Sequence, residues 1–391
     1  MTPGFQCLTS IRPALIKSRS TSTSRLLSLS NSKRSSSSAI QSASDRVQRV
    51  IFSGIQPTGV PHIGNYVGAL KNWVQLQNQN VTRASKAQLF YSIVGLHAIT
   101  LPQSPEKLRQ ERFEMMCTLL AIGLDPKHCC LFNQDEVPAH SELAWILNCI
   151  TPVGRLNRMT TWKSRLATAR NSNSLEEVDD SMLHLGLLAY PVLQSADILL
   201  YKSTHIPVGQ DQEQHIELTR MIAKSFNKQF QASLFPIPRA IYTPQARILN
   251  LRNPDVKMSK SHPSATSRIL ITDSPDQIRS KIQSAVTDSI SHITYDPIQR
   301  PGVSNLIDIH AGFADQSVTE TVTRFEGKMA GDLKSELIDL LINHLSPIRQ
   351  EYERLRQAKG DVEEIFRCGA LQATSVANQT LREVKKAVGF L

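Results

Sequence analysis

The segment from Val50 to Leu70 constrains the fold most. A short apolar run, Val50-Ile51-Phe52-Ser53-Gly54, ends at a glycine and passes through Gln56-Pro57-Thr58-Gly59. The chain then enters Gly64-Asn65-Tyr66-Val67-Gly68-Ala69-Leu70. That is a strand, a Pro/Gly turn and a helix in succession. The alternation repeats. Leu89–Val94 reads as a second strand, and Ser104-Pro105-Glu106 opens a helix, with serine as N-cap and proline at the first helical position. The apolar face of that helix includes Leu108, Met115, Leu119 and Ile122. Cys129 to Phe132 is strand-like and Ser141 to Ile150 helical. Strands alternating with helices predict an α/β architecture with a mainly parallel sheet.

Beyond about residue 275 the strand signals fade. Ser274-Pro275-Asp276 caps a helix with Ile278, Ile282 and Val286 at four-residue spacing, and Leu337–Ile348 and Val362–Val388 continue the helical pattern. A chain of 391 residues, 40% hydrophobic, has enough apolar sequence for two or three domains. The expected division is a leader over 1–45, an α/β domain over 46–275 and an α-helical domain over 276–391. The polar, basic stretch at about 151–182 reads as an insertion in the α/β domain.

The formal charge of +10 resembles a nucleic-acid signature, but most of the excess lies in the leader. Residues 1–44 hold no Asp or Glu, fourteen serines and six basic residues: Arg12, Lys17, Arg19, Arg25, Lys33 and Arg34. Without them, 38 basic residues stand against 34 acidic, a balance of +4. An acid-free, Arg- and Ser-rich N-terminus without a continuous apolar stretch fits an organelle transit peptide and not a secretory signal. Mitochondrial import, to the matrix, is the expectation. No apolar run approaches the roughly 18 residues of a membrane span, so no membrane insertion is expected. The six cysteines form no CxxC pair, and no structural metal is expected.

Two constellations carry chemistry. In Gly59-Val60-Pro61-His62-Ile63-Gly64-Asn65, at a strand-to-helix turn, helix N–H groups favour phosphate and Gly64 admits close approach of a ligand. His62 or Asn65 could donate hydrogen bonds to phosphate or ribose oxygens. In Lys257-Met258-Ser259-Lys260-Ser261, two lysines and two hydroxyls in five residues make a mobile cationic clamp. Such a clamp suits charge growing on a leaving pyrophosphate. Either could be bland alone, a Gly/Pro turn or a solvated basic loop; their order along the chain is what makes them informative.

With these motifs the chain resembles the class I aminoacyl-tRNA synthetases, whose signatures are His-Ile-Gly-His and Lys-Met-Ser-Lys-Ser. Within them it is similar to the tryptophanyl-tRNA synthetase family of bacterial and mitochondrial type, from about Ile51 to Leu391. The blocks that carry the likeness include Val137-Pro138-Ala139-His140, Ser195-Ala196-Asp197-Ile198-Leu199-Leu200-Tyr201, Pro207-Val208-Gly209-Gln210-Asp211-Gln212, Ser284-Ala285-Val286-Thr287-Asp288-Ser289 and Pro301-Gly302-Val303-Ser304-Asn305-Leu306.

The resemblance implies a Rossmann-like catalytic domain, a C-terminal helical domain that binds the tRNA anticodon, and a homodimer. Its substrates would be L-tryptophan, ATP with Mg2+, and tRNA(Trp). It implies that Gln56, Pro57, Thr58, His62, Gly64 and Asn65, then Gly209, Gln210, Asp211 and Ile248, hold ATP. Lys257, Met258, Ser259, Lys260 and Ser261 would close over its phosphates, and Lys163 and Arg165 would add a basic contact. Phe52, Gly54, His97, Tyr190, Asp197, Val208 and Gln212 would hold tryptophan. Lys257, Lys260 and Gln56 are the catalytic candidates.

The chain departs from the bacterial pattern at Asn65 (a histidine in the class signature), Gly95 (Asp), Gln210 (Glu), Gln194 (Met) and Arg165 (Lys). Without the resemblance, Asp197 reads more simply as a helix N-cap. Three rivals stand beside this reading: a tyrosyl-tRNA synthetase, a shorter nucleotidyltransferase without the lysine loop, and a non-catalytic RNA-binding descendant of a synthetase.

Overall fold

The computed structural model describes residues 48–84, 86–159, 162, 183–242, 247–260 and 262–391. The leader, most of the polar insertion with Lys163 and Arg165, Ser261 and the side chain of Gln210 lie outside the described residues. Arg49–Leu391 form one compact unit.

Five strands, β1 (Val50–Ile55), β2 (Gln88–Ile93), β3 (Cys130–Asn133), β4 (His205–Val208) and β5 (Arg239–Tyr242), form one sheet in the order β3-β2-β1-β4-β5. All neighbouring pairs are parallel. The period of two along each strand sorts the side chains into two cores. Ile51, Leu89, Tyr91, Ile93 and Leu131 enter one, and Val50, Phe52, Phe90, Cys130 and Phe132 the other. Both faces are covered, which is why β1, β2 and β3 are mainly apolar and do not alternate regularly with polar residues.

The first face is covered by a helix that begins at Ile63–Asn65, widens to a π-helical stretch over Tyr66–Leu70 and continues as α1 (Lys71–Thr82). It is followed by α2 (Pro105–Ala121), whose N-cap Ser104 accepts the Lys107 N–H, as the Ser-Pro signal predicts. The second face carries α3 (Ala139–Asn148), α4 (Leu185–Leu200) and α5 (Glu213–Gln229).

From residue 275 onward the regular elements are helices, as expected: α6 (Pro275–Gln283), α7 (Pro301–Ala314), α8 (Val318–Arg324), α9 (Ala330–Gln357) and α10 (Lys359–Val388). Ser274 and Gln277 cap α6 reciprocally, and the helix ends before Val286. Leu306, Leu341 and Leu345 join the same core as the first sheet face. The last helix returns to the sheet edge. A Cβ at Gly369 would lie 1.8 Å from the Leu131 carbonyl oxygen, and the Cys130 thiol reaches the Gly369 carbonyl at 3.3 Å. Only glycine permits α10 to lie directly on β3, and the open edge of that strand is thereby sheltered.

The strand order reverses between β1 and β4. In open parallel sheets a crevice forms there, at the carboxyl ends of the strands. The loops after Ile55 and Val208 therefore decide what this fold can bind.

Candidate active site

A cavity of about 580 Å³ opens at this reversal. Phe52, Gly54 and Gln56 line it from β1 and its exit, and Val208, Gly209, Asp211 and Gln212 from β4 and its exit. His97 comes from the helical turn after β2, and Tyr190 and Asp197 from α4. All seven residues expected to hold tryptophan therefore meet in one cavity. Gln194, one of the departures, also lines it and donates to Gln212 at 3.4 Å.

Asp197 lies within α4, three residues before its end, so it is not an N-cap. Its side chain is 2% exposed. Oδ1 accepts from Gln134 Nε2 at 2.7 Å and from His140 Nδ1 at 2.7 Å, and Oδ2 accepts from His97 Nε2 at 2.8 Å. Burial works against the charge. Hydrogen bonds from His140 and His97 outweigh it and hold the carboxyl well below the usual carboxylate range. The apolar part of the lining includes Phe52, which stacks on Tyr201 at 5.6 Å, with Ile198, Ile206 and Val208, while His97, Tyr190, Gln194, Gln212 and His215 add polar groups. A second polar chain runs from the Tyr190 hydroxyl to His215 Nε2 (3.2 Å) and from His215 Nδ1 to Gln212 Oε1 (2.8 Å).

Of the other expected residues, Gly209 and Asp211 also line the cavity, and the turn from Gln56 to Asn65, Ile248 and the described part of the lysine loop form a cluster that starts where Gln56 leaves it. The first motif is joined through the backbone to the segment that follows the second. Ile63 N–H donates to the Ile269 carbonyl (2.9 Å) and Ile271 N–H to the Pro61 carbonyl (3.1 Å). Lys260 Nζ donates to the carbonyl oxygens of Thr58 (2.7 Å) and Gly59 (2.8 Å), so the second lysine of the clamp rests on the first motif's turn. Burial lowers Lys260 to about 8, with Glu111 and Glu114 opposing and Arg268 assisting.

His62 has a role the sequence did not suggest. Its Nδ1 accepts from Gly64 N–H (3.1 Å) and Asn65 N–H (3.3 Å), while Asn65 Oδ1 faces the His62 N–H. His62 is thus the helix cap, and these two amides are already engaged. Burial first, then Lys260, Lys257 and Arg268, lower it to about 3, so the ring is neutral and an acceptor. Gly64 is small because its neighbours are close: a Cβ would lie 3.0 Å from the His62 ring and 3.3 Å from Ile248 Cβ.

The clamp loop is anchored at its base. Ile248 and Met258, both buried, are joined by Met258 N–H donating to the Ile248 carbonyl (3.1 Å). Asn305, at the start of α7, grips Leu249 with both ends of its amide. Its Oδ1 accepts the Leu249 N–H at 2.7 Å, and its Nδ2 donates to the Leu249 carbonyl at 3.1 Å. Lys257 stays exposed. Asn305, Gln134, His140 and His215 are the polar residues that sequence reasoning left without a role. Asp135, paired to Arg112 at 3.1 Å, occupies the space a side chain at Gly95 would need. Among the described residues, no three or more His, Cys, Asp or Glu side chains group as metal ligands.

A parallel sheet with an amino-acid-sized cavity at its switch point, and a lysine loop docked on the first helix turn, is the arrangement of a class I aminoacyl-tRNA synthetase. The family model for class I tRNA synthetases of the W and Y branch matches residues 45–346. The mitochondrial tryptophan--tRNA ligase of Schizosaccharomyces pombe is 43% identical over 345 residues, 87% of this chain and 95% of that one. Among solved structures, tryptophanyl-tRNA synthetase of Mycoplasma pneumoniae superposes with a TM-score of 0.75 at 32% identity, covering 88% of this chain and 98% of that one. The enzyme of Campylobacter jejuni, complexed with ADP and tryptophan, gives a TM-score of 0.69 at 32% identity and covers 88% and 100%. The chain belongs to the tryptophan--tRNA ligase family.

Proposed function

We propose that the chain activates L-tryptophan with ATP, forming tryptophanyl-adenylate and pyrophosphate, and then transfers the acyl group to a ribose hydroxyl at the 3′ end of tRNA(Trp). The observation that carries the reading is the buried, ionised Asp197, an acceptor in the wall of a cavity that Phe52, Ile198, Ile206 and Val208 also line. Tryptophan has one polar side-chain atom, the indole N–H, and it is a donor only. Phe52 and Val208 flank the indole, and the Tyr190–His215–Gln212 chain offers polar groups to the zwitterionic end. The amino-acid carboxylate attacks the α-phosphorus directly, so positioning and charge stabilisation supply the catalysis. Gln56 sits between cavity and clamp, where carboxylate and triphosphate meet. Lys260, released from Thr58 and Gly59, and Lys257 offset the charge growing on pyrophosphate. Mg2+ enters with the triphosphate as part of the nucleotide substrate. Pro57, Thr58, Gly64, Asn65, Gly209, Asp211 and Ile248 frame the nucleotide.

In the same reading, residues 46–275 form the catalytic domain and the helices from 276 onward receive the tRNA. The acid-free leader directs the chain to the mitochondrial matrix, in keeping with the mitochondrial S. pombe relative. Trp145 on α3 and Leu185 at the start of α4 are exposed apolar side chains on packed helices, suited to a homodimer contact.

The test is ATP–pyrophosphate exchange by protein lacking residues 1–45. Exchange should depend on tryptophan; dependence on tyrosine instead, or on neither, overturns the assignment. Full-length protein should enter mitochondria and the truncated form should stay in the cytosol with its aminoacylation intact.

A further inference from the structure

We infer that His140, which does not line the cavity, is a positioning residue that sets specificity for tryptophan by leaving Asp197 a single acceptor site aimed at the ligand. The inference rests on the reading of the cavity as the tryptophan pocket.

A carboxylate offers about four lone-pair sites, two on each oxygen. At Asp197 three are filled. Gln134 and His140 saturate Oδ1, and His97 takes one site on Oδ2. The single remaining site is on Oδ2. Each donor is itself held in orientation. Gln134 is fully buried, and its Oε1 accepts the Leu96 N–H at 3.0 Å, so the amide cannot flip and Nε2 must face Asp197. His140, also fully buried, has Nε2 at 2.9 Å from the Tyr201 hydroxyl. An acceptor-only carboxylate requires a proton on Nδ1. In a neutral ring Nε2 is then an acceptor and the Tyr201 hydroxyl donates to it. Burial keeps that hydroxyl protonated. Tyr201 is in turn fixed among the rings of Phe52, Phe90 and Phe132.

The consequence is chemical. His97, Gln134 and His140 each donate to Asp197, and neither Gln134 nor His140 lines the cavity, so at Asp197 the floor of the pocket presents one acceptor site and no uncommitted donor. An indole N–H satisfies that floor completely. A phenol can donate to the same site, but its oxygen also carries lone pairs that find no donor here. Burying such an unmatched polar atom is costly, and tyrosine is rejected for that reason as well as for its size. Without the His140 donor, Oδ1 has a vacant site, the carboxylate is free to turn, and Gln134 or His97 can be drawn away toward a phenol oxygen.

The experiment compares three variants in ATP–pyrophosphate exchange with tryptophan and with tyrosine, alongside melting temperature and KM for ATP. His140→Asn places an amide nitrogen near the Nδ1 position and keeps the Asp197 bond. His140→Gln reaches the Nε2 position, keeping Tyr201 but not Asp197. His140→Leu keeps neither. The indole contact is the same in ground and transition states, so KM for tryptophan should move and kcat should not. His140→Gln and His140→Leu should raise KM for tryptophan about 10- to 100-fold and narrow the tryptophan-to-tyrosine ratio, with KM for ATP unchanged. His140→Asn should stay close to wild type. Should the leucine variant fail to fold, the Asn and Gln pair decides alone: equal behaviour, or Gln the better, overturns the inference. A wild-type chain without tryptophan-dependent exchange overturns the synthetase reading and this inference with it. An active wild type beside unchanged His140→Gln kinetics overturns this inference only.

Discussion

The amino-acid cavity and the lysine loop sit side by side and are built on opposite principles. In the cavity, the three donors to Asp197, His97, Gln134 and His140, are buried and bonded before any ligand arrives. In the loop, Lys257 is exposed, and Lys260 rests on two backbone carbonyls that, in the proposed function, it leaves in order to meet a phosphate. Recognition of a small side chain needs fixed partners, because an unmatched buried group is what rejects the wrong amino acid. Stabilisation of a charge that exists only in the transition state needs groups free to arrive late.

The sharpest break of this contrast is Asp197→Ala. It removes the proposed indole acceptor and strands three buried donors at once. Selectivity for tryptophan over phenylalanine should fall by up to about 10⁴-fold, with a lower melting temperature. Asp197→Asn offers little relief. An amide can satisfy the donors at one oxygen position but must turn its own NH2 toward the donors at the other. Unaltered selectivity in Asp197→Ala would remove the residue from the pocket's recognition chemistry. Lys260→Ala comes next. The adenylation rate should drop about 10²–10³-fold with KM for tryptophan nearly constant, and an unchanged rate would make the loop an ordinary solvated one.

Asn305→Leu tests whether the loop needs its anchor. With the Leu249 amide and carbonyl left unpaired, kcat should fall about tenfold and the melting temperature with it, while tryptophan binding holds. An equal loss of tryptophan affinity would mean that the two regions are not separable. The smallest effect is in pH. Burial lowers Lys260 to about 8 in the free protein. Triphosphate favours the ammonium, so ATP binding takes up a proton above that value and weakens as pH rises. KM for ATP should climb up to about tenfold between pH 7 and 9, whereas Lys260→Arg, which stays charged, should be flat. A flat wild-type profile would count against proton-linked release of Lys260.

The same contrast governs what was legible in the sequence. Elements with strong local signals were readable: the strand–turn–helix at Val50–Leu70, the Ser104 and Ser274 caps, and the helices after residue 275. β4 and β5 were not, being four residues each, with Pro207 inside β4 and little apolar alternation. The cavity's lining was nameable only through the family resemblance, which Phe52, Gly54, Asp197, Val208 and Gln212 help to carry from within its motif blocks, whereas His97 and Tyr190 lie outside them. Its backing was not. Gln134 and His140 reach Asp197 across 63 and 57 residues from a 3₁₀ turn and a helix of their own, and a lone buried histidine in an apolar stretch carries no local mark of its partner. The residue types at His62 and Asn65 permit either to donate to phosphate or ribose oxygens, and only the backbone geometry shows His62 Nδ1 turned inward to cap the helix.

The seating of α10 on β3 has a consequence for how the chain assembles. Cys130 and Gly369 meet across 239 residues, so the hydrogen-bonding edge of β3 stays bare until nearly the whole polypeptide has emerged. Contacts that close so long a loop form late, and a bare parallel-strand edge invites pairing with another chain in the interval. A polypeptide threaded into an organelle N-terminus first would meet the same delay. Its sheet would need shelter by chaperones until Lys359–Val388 arrived, and loss of those thirty residues would show as insoluble protein before it showed as a change in catalysis.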